Sequence, residues 1–218
     1  MLENIKKELT QTNPAKFQIA IVHHHPMPHE GLGLGSADLL ILGSELLRLL
    51  EQHSFQIVVH GHKHYPRLNY AQGGSSPPAV LAAGSFAALG KMLTSTRNLF
   101  HIIELFDESF PCCSGPGLVR SWQYSFLKGW DIPTEESSDL PPIAGFGFRG
   151  NPVDLAIQTE LLIGQEQLLS WDELLKHLPA VQFMLPTDMD RYTEALKTRG
   201  LDIYRARPSS RRVIGKAV

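Results

Sequence analysis

Two similar stretches of sequence decide the fold: FQIAIVHHHP at residues 17–26 and FQIVVHGHKH at residues 55–64. Each begins with an apolar run, Phe17–His23 and Phe55–His60, that predicts a short strand buried between two layers. The apolar residues between Leu39 and His53 predict a helix that joins these strands. Strands joined through a helix are expected to run parallel. Both histidine clusters should therefore lie at one edge of the sheet, where open α/β sheets bind ligands.

The neighbouring sequence predicts more of the same sheet. Leu2, Ile5 and Leu9 recur at helical spacing, which predicts a short helix beginning near Leu2. Apolar and alternating segments predict three further strands: Ala79–Ala83, Leu99–Leu105 and Leu118–Phe126. Residues 1–130 are therefore expected to form one domain of sheet and helices.

The composition changes after this domain. Residues 131–150 begin with an acidic, proline-rich segment that is typical of a linker. Residues 151–218 are expected to form a small α/β module of unknown role. Within that module the pattern predicts a βαβ-like arrangement, with strands at Val181–Leu185 and Leu201–Tyr204. The basic residues between Arg205 and Lys216 predict a solvated tail.

Composition excludes several classes of protein. Of the 218 residues, 43% are hydrophobic and 19% are charged, which excludes a mainly disordered or fibrous chain. The formal net charge of -2 gives no overall field that would recruit nucleic acid. No apolar run has the length of a membrane span. Cys112 and Cys113 are adjacent and cannot staple distant segments, so a reducing, cytoplasmic location without membrane association is expected.

Histidines carry the main chemical signal. The chain has 10 histidines, and most of them lie between His23 and His64. Imidazole is the commonest ligand for transition metals, so several histidines converging at a sheet edge can hold a divalent ion. His62 and His64, two residues apart in extended backbone, should project to the same side, with Gly61 allowing a tight bend. The alternative is that these are surface histidines, each hydrogen-bonded to backbone or water.

At this point the sequence resembles a known family. H-x-P at His24–Pro26 and G-H-x-H at Gly61–His64 resemble the late motifs of the calcineurin-like metallophosphoesterases. AVLAAGSF at residues 79–86 and NLFHIIEL at residues 98–105 resemble the strands that follow G-H-x-H in that family. The resemblance implies an α+β chain: part of a layered α/β/β/α sandwich, the carboxyl-terminal half of the family's domain, with a small α/β appendage.

The resemblance also implies a site and a reaction. His24 and His62 would ligate one metal of a dinuclear centre, and His64 would ligate the other. The metal would be manganese, zinc or iron, and the reaction would be hydrolysis of a phosphoester by metal-activated water. His23, His25 and His60 would lie behind the ligands or face the substrate.

The sequence departs from the family in one major respect. The family's earlier motifs, D-x-H, G-D-x-x-D and G-N-H-[DE], supply its carboxylate ligands, and none of them occurs here. The chain is thus expected to be a truncated domain that becomes dinuclear only if a second chain supplies the missing half. The three imidazoles alone could hold one zinc. The alternative function is a non-catalytic metal-binding or protein-interaction module, which would associate with a partner, or with itself, through the sheet face that the missing half would have covered.

Overall fold

The computed structural model describes residues 2–12, 15–29, 33, 35–87, 98–133, 140–164, 168–205 and 212–216. These residues form helices and both mixed and antiparallel sheets, so the protein belongs to the α+β class. The chain divides into two compact units, Met1–Asp107 with Val119–Ile143, and Glu108–Leu118 with Ala144–Val218.

The histidine-rich part of the chain forms a four-stranded sheet. The elements up to β7 are α1 (Leu2–Gln11), β1 (Ile19–Val22), α2 (Gly43–Gln52), β2 (Ile57–His60), β3 (Arg67–Tyr70), β4 (Ala79–Ala82), β5 (Leu99–Leu105), β6 (Cys113–Ser125) and β7 (Gly129–Asp131). The strand order is β1-β2-β4-β3, in which β1, β2 and β4 are parallel and β3 is antiparallel. The predicted parallel pairing of the two histidine strands is confirmed, with Ile19 opposite Ile57 and Val22 opposite His60.

One face of this sheet is covered by the two helices. Val58 and Val80 point into a core with Leu46, Leu47 and Leu50 of α2. The α1 residues that share a helical face pack against the same core: Leu2, Ile5 and Leu9. Burial of this apolar surface is what holds two short helices on the sheet, since helices of this length are marginal in isolation.

The prediction that β1 is buried on both faces is wrong. Ala20 and Val22 pack against the core, but Ile19 is 45% exposed and Ile21 is 81% exposed. The reason is the position of the strand: β1 lies at the end of the sheet order, whereas its neighbour β2 has a strand on each side and an Ile57 that is fully buried. An edge strand with exposed isoleucines is a surface that proteins usually protect.

A second sheet follows in the chain. It joins β5, β6 and β7 in that order, and β8 (Ile143–Phe148) also pairs with β6. The predicted strand Leu99–Leu105 coincides with β5, and the strand predicted at Leu118–Phe126 begins earlier, at Cys113. The interval 131–150, predicted to be a linker, contains β8; residues 134–139 lie outside the described residues.

The second unit has a helical part and a small antiparallel sheet. Its remaining elements are α3 (Pro152–Ile163), β9 (Leu168–Ser170), α4 (Trp171–His177), α5 (Pro186–Lys197), β10 (Leu201–Arg205) and β11 (Arg212–Lys216). The sheet order is β10-β11-β9, with antiparallel pairing throughout, so the βαβ-like arrangement is wrong.

Two local predictions in this unit are also corrected. The strand predicted at Val181–Leu185 is wrong, because the chain forms a 3₁₀ turn at Pro179–Phe183 instead. Pro179 begins this turn and Pro186 begins the next helix, and the turn buries Val181 and Phe183. The basic segment predicted as a solvated tail contains β11, the central strand of the sheet; residues 206–211 lie outside the described residues. Among the helices of the described part, none is long and apolar enough to cross a membrane.

Candidate metal centre

The carboxyl ends of β1 and β2 bring the two histidine clusters together. The strands pair in register up to Val22 and His60, and the Gly61 amide then donates to the His23 carbonyl at 3.3 Å. The polypeptide leaves both strands at this point, so the histidines that follow occupy the same sheet edge. This is the placement that the parallel arrangement predicts.

Three of these histidines form what we call the outer histidine group: His23, His24 and His62. One ring nitrogen from each lies within 4.8 Å of the others. The rings of His24 and His62 have centroids 4.7 Å apart, and Nδ1 of His62 lies 3.3 Å from Nε2 of His23. His23 is exposed and the other two are half-buried, so the group is open to solvent.

Asp38 is the carboxylate of the outer group. Nε2 of His62 donates to Oδ1 of Asp38 at 2.8 Å, and Lys63 Nζ and the Gly35 amide reach Oδ2 at 2.9 and 2.8 Å. The hydrogen bonds from Lys63, His62 and Gly35 hold the pKa of Asp38 well below its ordinary value. Because Nε2 of His62 carries the proton that Asp38 accepts, Nδ1 of the neutral ring has a lone pair, and this atom lies 3.3 Å from Nε2 of His23.

Three other histidines form a second cluster, the inner histidine group: His25, His29 and His60. One ring nitrogen from each again lies within 4.8 Å of the others, and the ring centroids of His25 and His60 are 4.5 Å apart. All three side chains are buried. Burial lowers the pKa of each of the three to about 4, and neighbouring histidines add to the effect. The inner group is therefore neutral at physiological pH.

Backbone contacts fix the segment that carries both groups. The His25 amide donates to the Asp38 carbonyl at 3.1 Å, and the Leu40 amide donates to the His25 carbonyl at 2.8 Å. Gly43, the first residue of α2, lies so close to Pro26 that a Cβ at this position would be 2.3 Å from the Pro26 carbonyl oxygen. The missing side chain of Gly43 thus lets the start of α2 lie directly against the backbone of Pro26.

The G-H-x-H segment does not have the predicted extended backbone. His62 and His64 have φ angles of 80° and 61°, in the left-handed region. Gly61 is not among the residues with positive φ, and a Cβ there would meet nothing within 4 Å. The bend is therefore made by the two histidines, which are strained in this conformation, and not by the glycine.

The predicted ligands His24, His62 and His64 do not all lie in one group. His24 and His62 lie together, and His23 is the third member of their group, whereas the described residues place His64 in neither group. Nδ1 of His64 is buried without a hydrogen-bond partner among the described residues. Because left-handed backbone at His62 and His64 breaks the two-residue alternation, these neighbours need not project to the same side.

The sequence did not identify two residues of the candidate metal centre, Asp38 and His29. Asp38 offered only a weak signal, as one of a few acidic residues between the two clusters. His29 follows His25 by four residues across two prolines, a spacing with no regular periodicity to interpret. Both reach the site through the loop after β1, whose path depends on tertiary contacts.

A scan against protein-family models finds no match, and a search of curated proteins finds no similar protein. The geometry therefore has to be interpreted from its own chemistry. Each of the two histidine groups has the donor atoms and the spacing to hold a metal ion.

Proposed function

We propose that the chain is a metal-dependent phosphoesterase whose metal site is the outer histidine group. The observation that carries the proposal is the meeting of His24, from the H-x-P sequence, with His62, from G-H-x-H, at 4.7 Å between ring centroids. The two residues are 38 positions apart in the sequence and converge only because β1 and β2 are parallel. The same two residues are the ones that the metallophosphoesterase resemblance assigns to one metal.

The donor set fits a divalent ion. In a tetrahedral site with metal–nitrogen bonds near 2.0–2.1 Å, two ligand nitrogens lie about 3.3–3.4 Å apart. The separation of 3.3 Å between Nδ1 of His62 and Nε2 of His23 matches this value. When bound, manganese, zinc or iron would supply charge stabilisation to a phosphoester and lower the pKa of a water molecule.

The residues of the chain have defined tasks in this proposal. Asp38 orients His62 and keeps its proton on Nε2, as carboxylates do behind metal-binding histidines. Exposed His23 leaves the group accessible to a phosphoester from solvent. Asp38 already accepts three hydrogen bonds, so it does not replace the bridging carboxylate of the family. A dinuclear centre would need carboxylates from a second chain, because two ions held by neutral ligands alone repel each other.

The test is hydrolysis of bis(p-nitrophenyl) phosphate by the full chain with added Mn²⁺, Zn²⁺ or Fe²⁺. Turnover is expected, and His24→Ala and His62→Ala should abolish it. His177→Ala is the matched control, because His177 is an exposed histidine at the end of α4 in the other unit. Absence of turnover with every metal, or equal turnover in His62→Ala, contradicts the proposal.

Metal titration of single variants identifies the third ligand. The resemblance assigns His64 to a second metal, whereas the geometry groups His23 with His24 and His62. If the geometry defines the mononuclear site, His23→Ala should weaken metal binding more than His64→Ala. The reverse order would indicate that the left-handed backbone at His64 rearranges when metal binds.

A second candidate function is favoured by the exposed edge of the sheet. Ile21 in β1 and Ile41 before α2 are 81% and 83% exposed. In the described residues β1 pairs only with β2, which leaves its other edge open. We propose, as the alternative, a non-catalytic interaction module in which β1 pairs antiparallel with β1 of a second copy, since an edge strand offers a second copy of itself matching donors and acceptors.

Sedimentation velocity tests this alternative. The chain is expected to form a dimer, and Ile21→Lys should convert it to a monomer. Leu161→Lys is the matched control, because Leu161 is a similarly exposed apolar residue on α3 of the other unit. A monomeric unmodified chain at all concentrations would eliminate this module, and so would a dimer that Ile21→Lys leaves intact.

A further inference from the structure

The inner histidine group contains polar atoms that the fold leaves unpaired. His25, His29 and His60 are 1%, 5% and 1% exposed. Neither ring nitrogen of His25 has a hydrogen-bond partner among the described residues, and Nδ1 of His29 also has none. A buried polar atom without a partner is destabilising. A bound ion would give one nitrogen of His25 a partner.

The arrangement of the nitrogens indicates what the occupant is. Nδ1 of His60 donates to the Gly61 carbonyl at 3.1 Å, so the lone pair of His60 is on Nε2. That Nε2 lies 3.3 Å from Nε2 of His29, again the separation expected for two ligands of a tetrahedral metal. A histidine whose other nitrogen donates to a backbone carbonyl is typical of metal sites, because this bond fixes the tautomer and the ring orientation.

The side-chain chemistry is compatible with metal binding. Each neutral imidazole offers one lone pair to a metal ion. Three histidines are a known ligand set for zinc and leave the fourth position of a tetrahedral site for a further ligand.

We propose that His25, His29 and His60 bind one Zn²⁺ ion with a structural role. The ion connects the loop after β1, which carries His25 and His29, to the end of β2, which carries His60. It thereby holds the backbone that also presents His24 and His62. This site is separate from the outer group in its residues, and it does not depend on the proposed phosphoesterase activity.

The alternative is that the inner group is a core of histidines linked by an N–H···N hydrogen bond. The distance of 3.3 Å between His29 and His60 also fits that bond. The two cases differ in a measurable way. If the residues are ligands, zinc stabilises the protein and this effect is lost with any one of them, whereas in a hydrogen-bonded core zinc has no effect on stability.

The experiment uses the full chain carrying His62→Ala, which removes the outer site and leaves the inner one. The protein is stripped with a chelator and titrated with Zn²⁺, and the bound metal is counted by mass spectrometry. One zinc per chain is expected. Adding His29→Ala should weaken binding by at least about a hundredfold, since changes behind the ligands already cost 10–100-fold. Adding His177→Ala should change nothing.

Thermal unfolding gives a second readout. At zinc concentrations one hundred times above Kd, the Tm of the His62→Ala protein should rise by about 5–10 °C. The His29→Ala/His62→Ala protein should show no rise. If His29→Ala does not fold, His29→Gln replaces it, because glutamine keeps a polar group there but does not ligate zinc as imidazole does.

Three results would overturn the proposal. The first is a His62→Ala protein that binds no zinc. The second is unchanged zinc binding after His29 is replaced. The third is a metal-free His29 variant that is clearly less stable than its parent while zinc has no effect on either, which would show a hydrogen-bonded core. None of these results bears on the phosphodiester assay of the outer group, so the two proposals fail independently.

Discussion

The outer and inner histidine groups lie at the ends of the same two strands but differ in surroundings. The outer group is open to solvent, and Asp38 fixes the tautomer of His62. The inner group is buried, and the Gly61 carbonyl fixes the tautomer of His60. Histidine side chains are therefore placed in two environments: one is accessible to solvent and polar, and the other is buried.

The difference underlies the two roles that we propose for the groups. A group open to solvent and supported by a carboxylate suits binding and reaction of a substrate. A buried group with unpaired nitrogens suits a fixed ion that stabilises the fold. Residue type alone does not distinguish these roles, since His24 and His25 are neighbours in the sequence and belong to different groups.

The largest expected effect comes from displacing the loop that carries both groups. Gly43→Ala places a Cβ 2.3 Å from the Pro26 carbonyl oxygen, so α2 or the loop has to move. Overpacking of this kind typically costs about 1–3 kcal/mol of unfolding free energy, which chemical denaturation measures. The control is Gly33→Ala, where a Cβ would meet nothing within 4 Å. Equal stability of the two variants would show that the close approach does not fix the loop.

The second prediction separates the two groups through Asp38. Asp38→Asn keeps the size of the side chain but removes the charge that holds His62 and Lys63. The metal affinity of the outer group should fall by about 10–100-fold, and that of the inner group should not change. Calorimetric titration in the His29→Ala background isolates the outer group, and titration in the His62→Ala background isolates the inner group.

The matched control for Asp38 is Glu51→Gln. Glu51 is also a carboxylate that accepts a backbone amide, that of Ser76 at 2.8 Å, but it belongs to neither histidine group. If Asp38→Asn and Glu51→Gln have the same effect on metal affinity, the role assigned to Asp38 is wrong.

A third prediction compares the inner group with a histidine whose hydrogen bonds are complete. His101 donates from Nε2 to the Ala83 carbonyl at 2.8 Å, and Nδ1 lies 2.8 Å from the Ser121 hydroxyl. Burial lowers the pKa of His101 below its ordinary value. The unfolded chain therefore takes up this proton at a higher pH than the folded chain.

The contribution of His101 to stability follows from this difference in pKa between the folded and the unfolded chain. It is fully present above the unfolded pKa of about 6.5 and is lost as the pH falls from there toward the folded pKa. His101→Gln removes the titration, so its unfolding free energy should decline less than that of the unmodified chain between pH 7.5 and 5.5. Denaturant titrations at both pH values measure this, and an unchanged pH dependence would contradict it.

The smallest effect is expected at the glycine of the G-H-x-H sequence. Gly61 has no positive φ and no neighbour near its missing Cβ. Its backbone carbonyl, which accepts from Nδ1 of His60, is retained when alanine replaces glycine. Gly61→Ala should change the unfolding free energy by no more than about 0.5 kcal/mol. Zinc binding by both groups should be retained. A large loss of either would mean that the bend at His62 and His64 depends on the freedom of Gly61.

The sequence allowed much of the first sheet to be predicted. Runs such as FQIVVH carry the apolar pattern of a buried strand, and a helix between two strands sets their parallel direction. It also allowed His24 and His62 to be placed together. The burial of β1 was predicted wrongly, because the pattern IAIV does not show that the strand lies at the edge of the sheet.

The small antiparallel sheet is a second case in which the local sequence did not predict the structure. The basic residues of β11 indicated a tail, yet the strand lies between β9 and β10 and Ile214 is fully buried. The charged residues of β11, Arg212 and Lys216, are its first and last residues, where long side chains can reach solvent beside a buried centre. Pairing with distant strands, and not local composition, decided this structure.

Thus the amino-acid order alone predicted three strands of the histidine-rich sheet, β1, β2 and β4, together with the parallel direction of β1 and β2 and the edge at which imidazoles collect, because hydrophobic periodicity and chain connectivity are local properties. The antiparallel strand β3 was not predicted. Only the tertiary structure decided which imidazole joins which group. That choice depends on the loop after β1, on Asp38 and on the left-handed backbone at His62 and His64, and contacts such as the one between His62 and Asp38 join residues far apart in the chain.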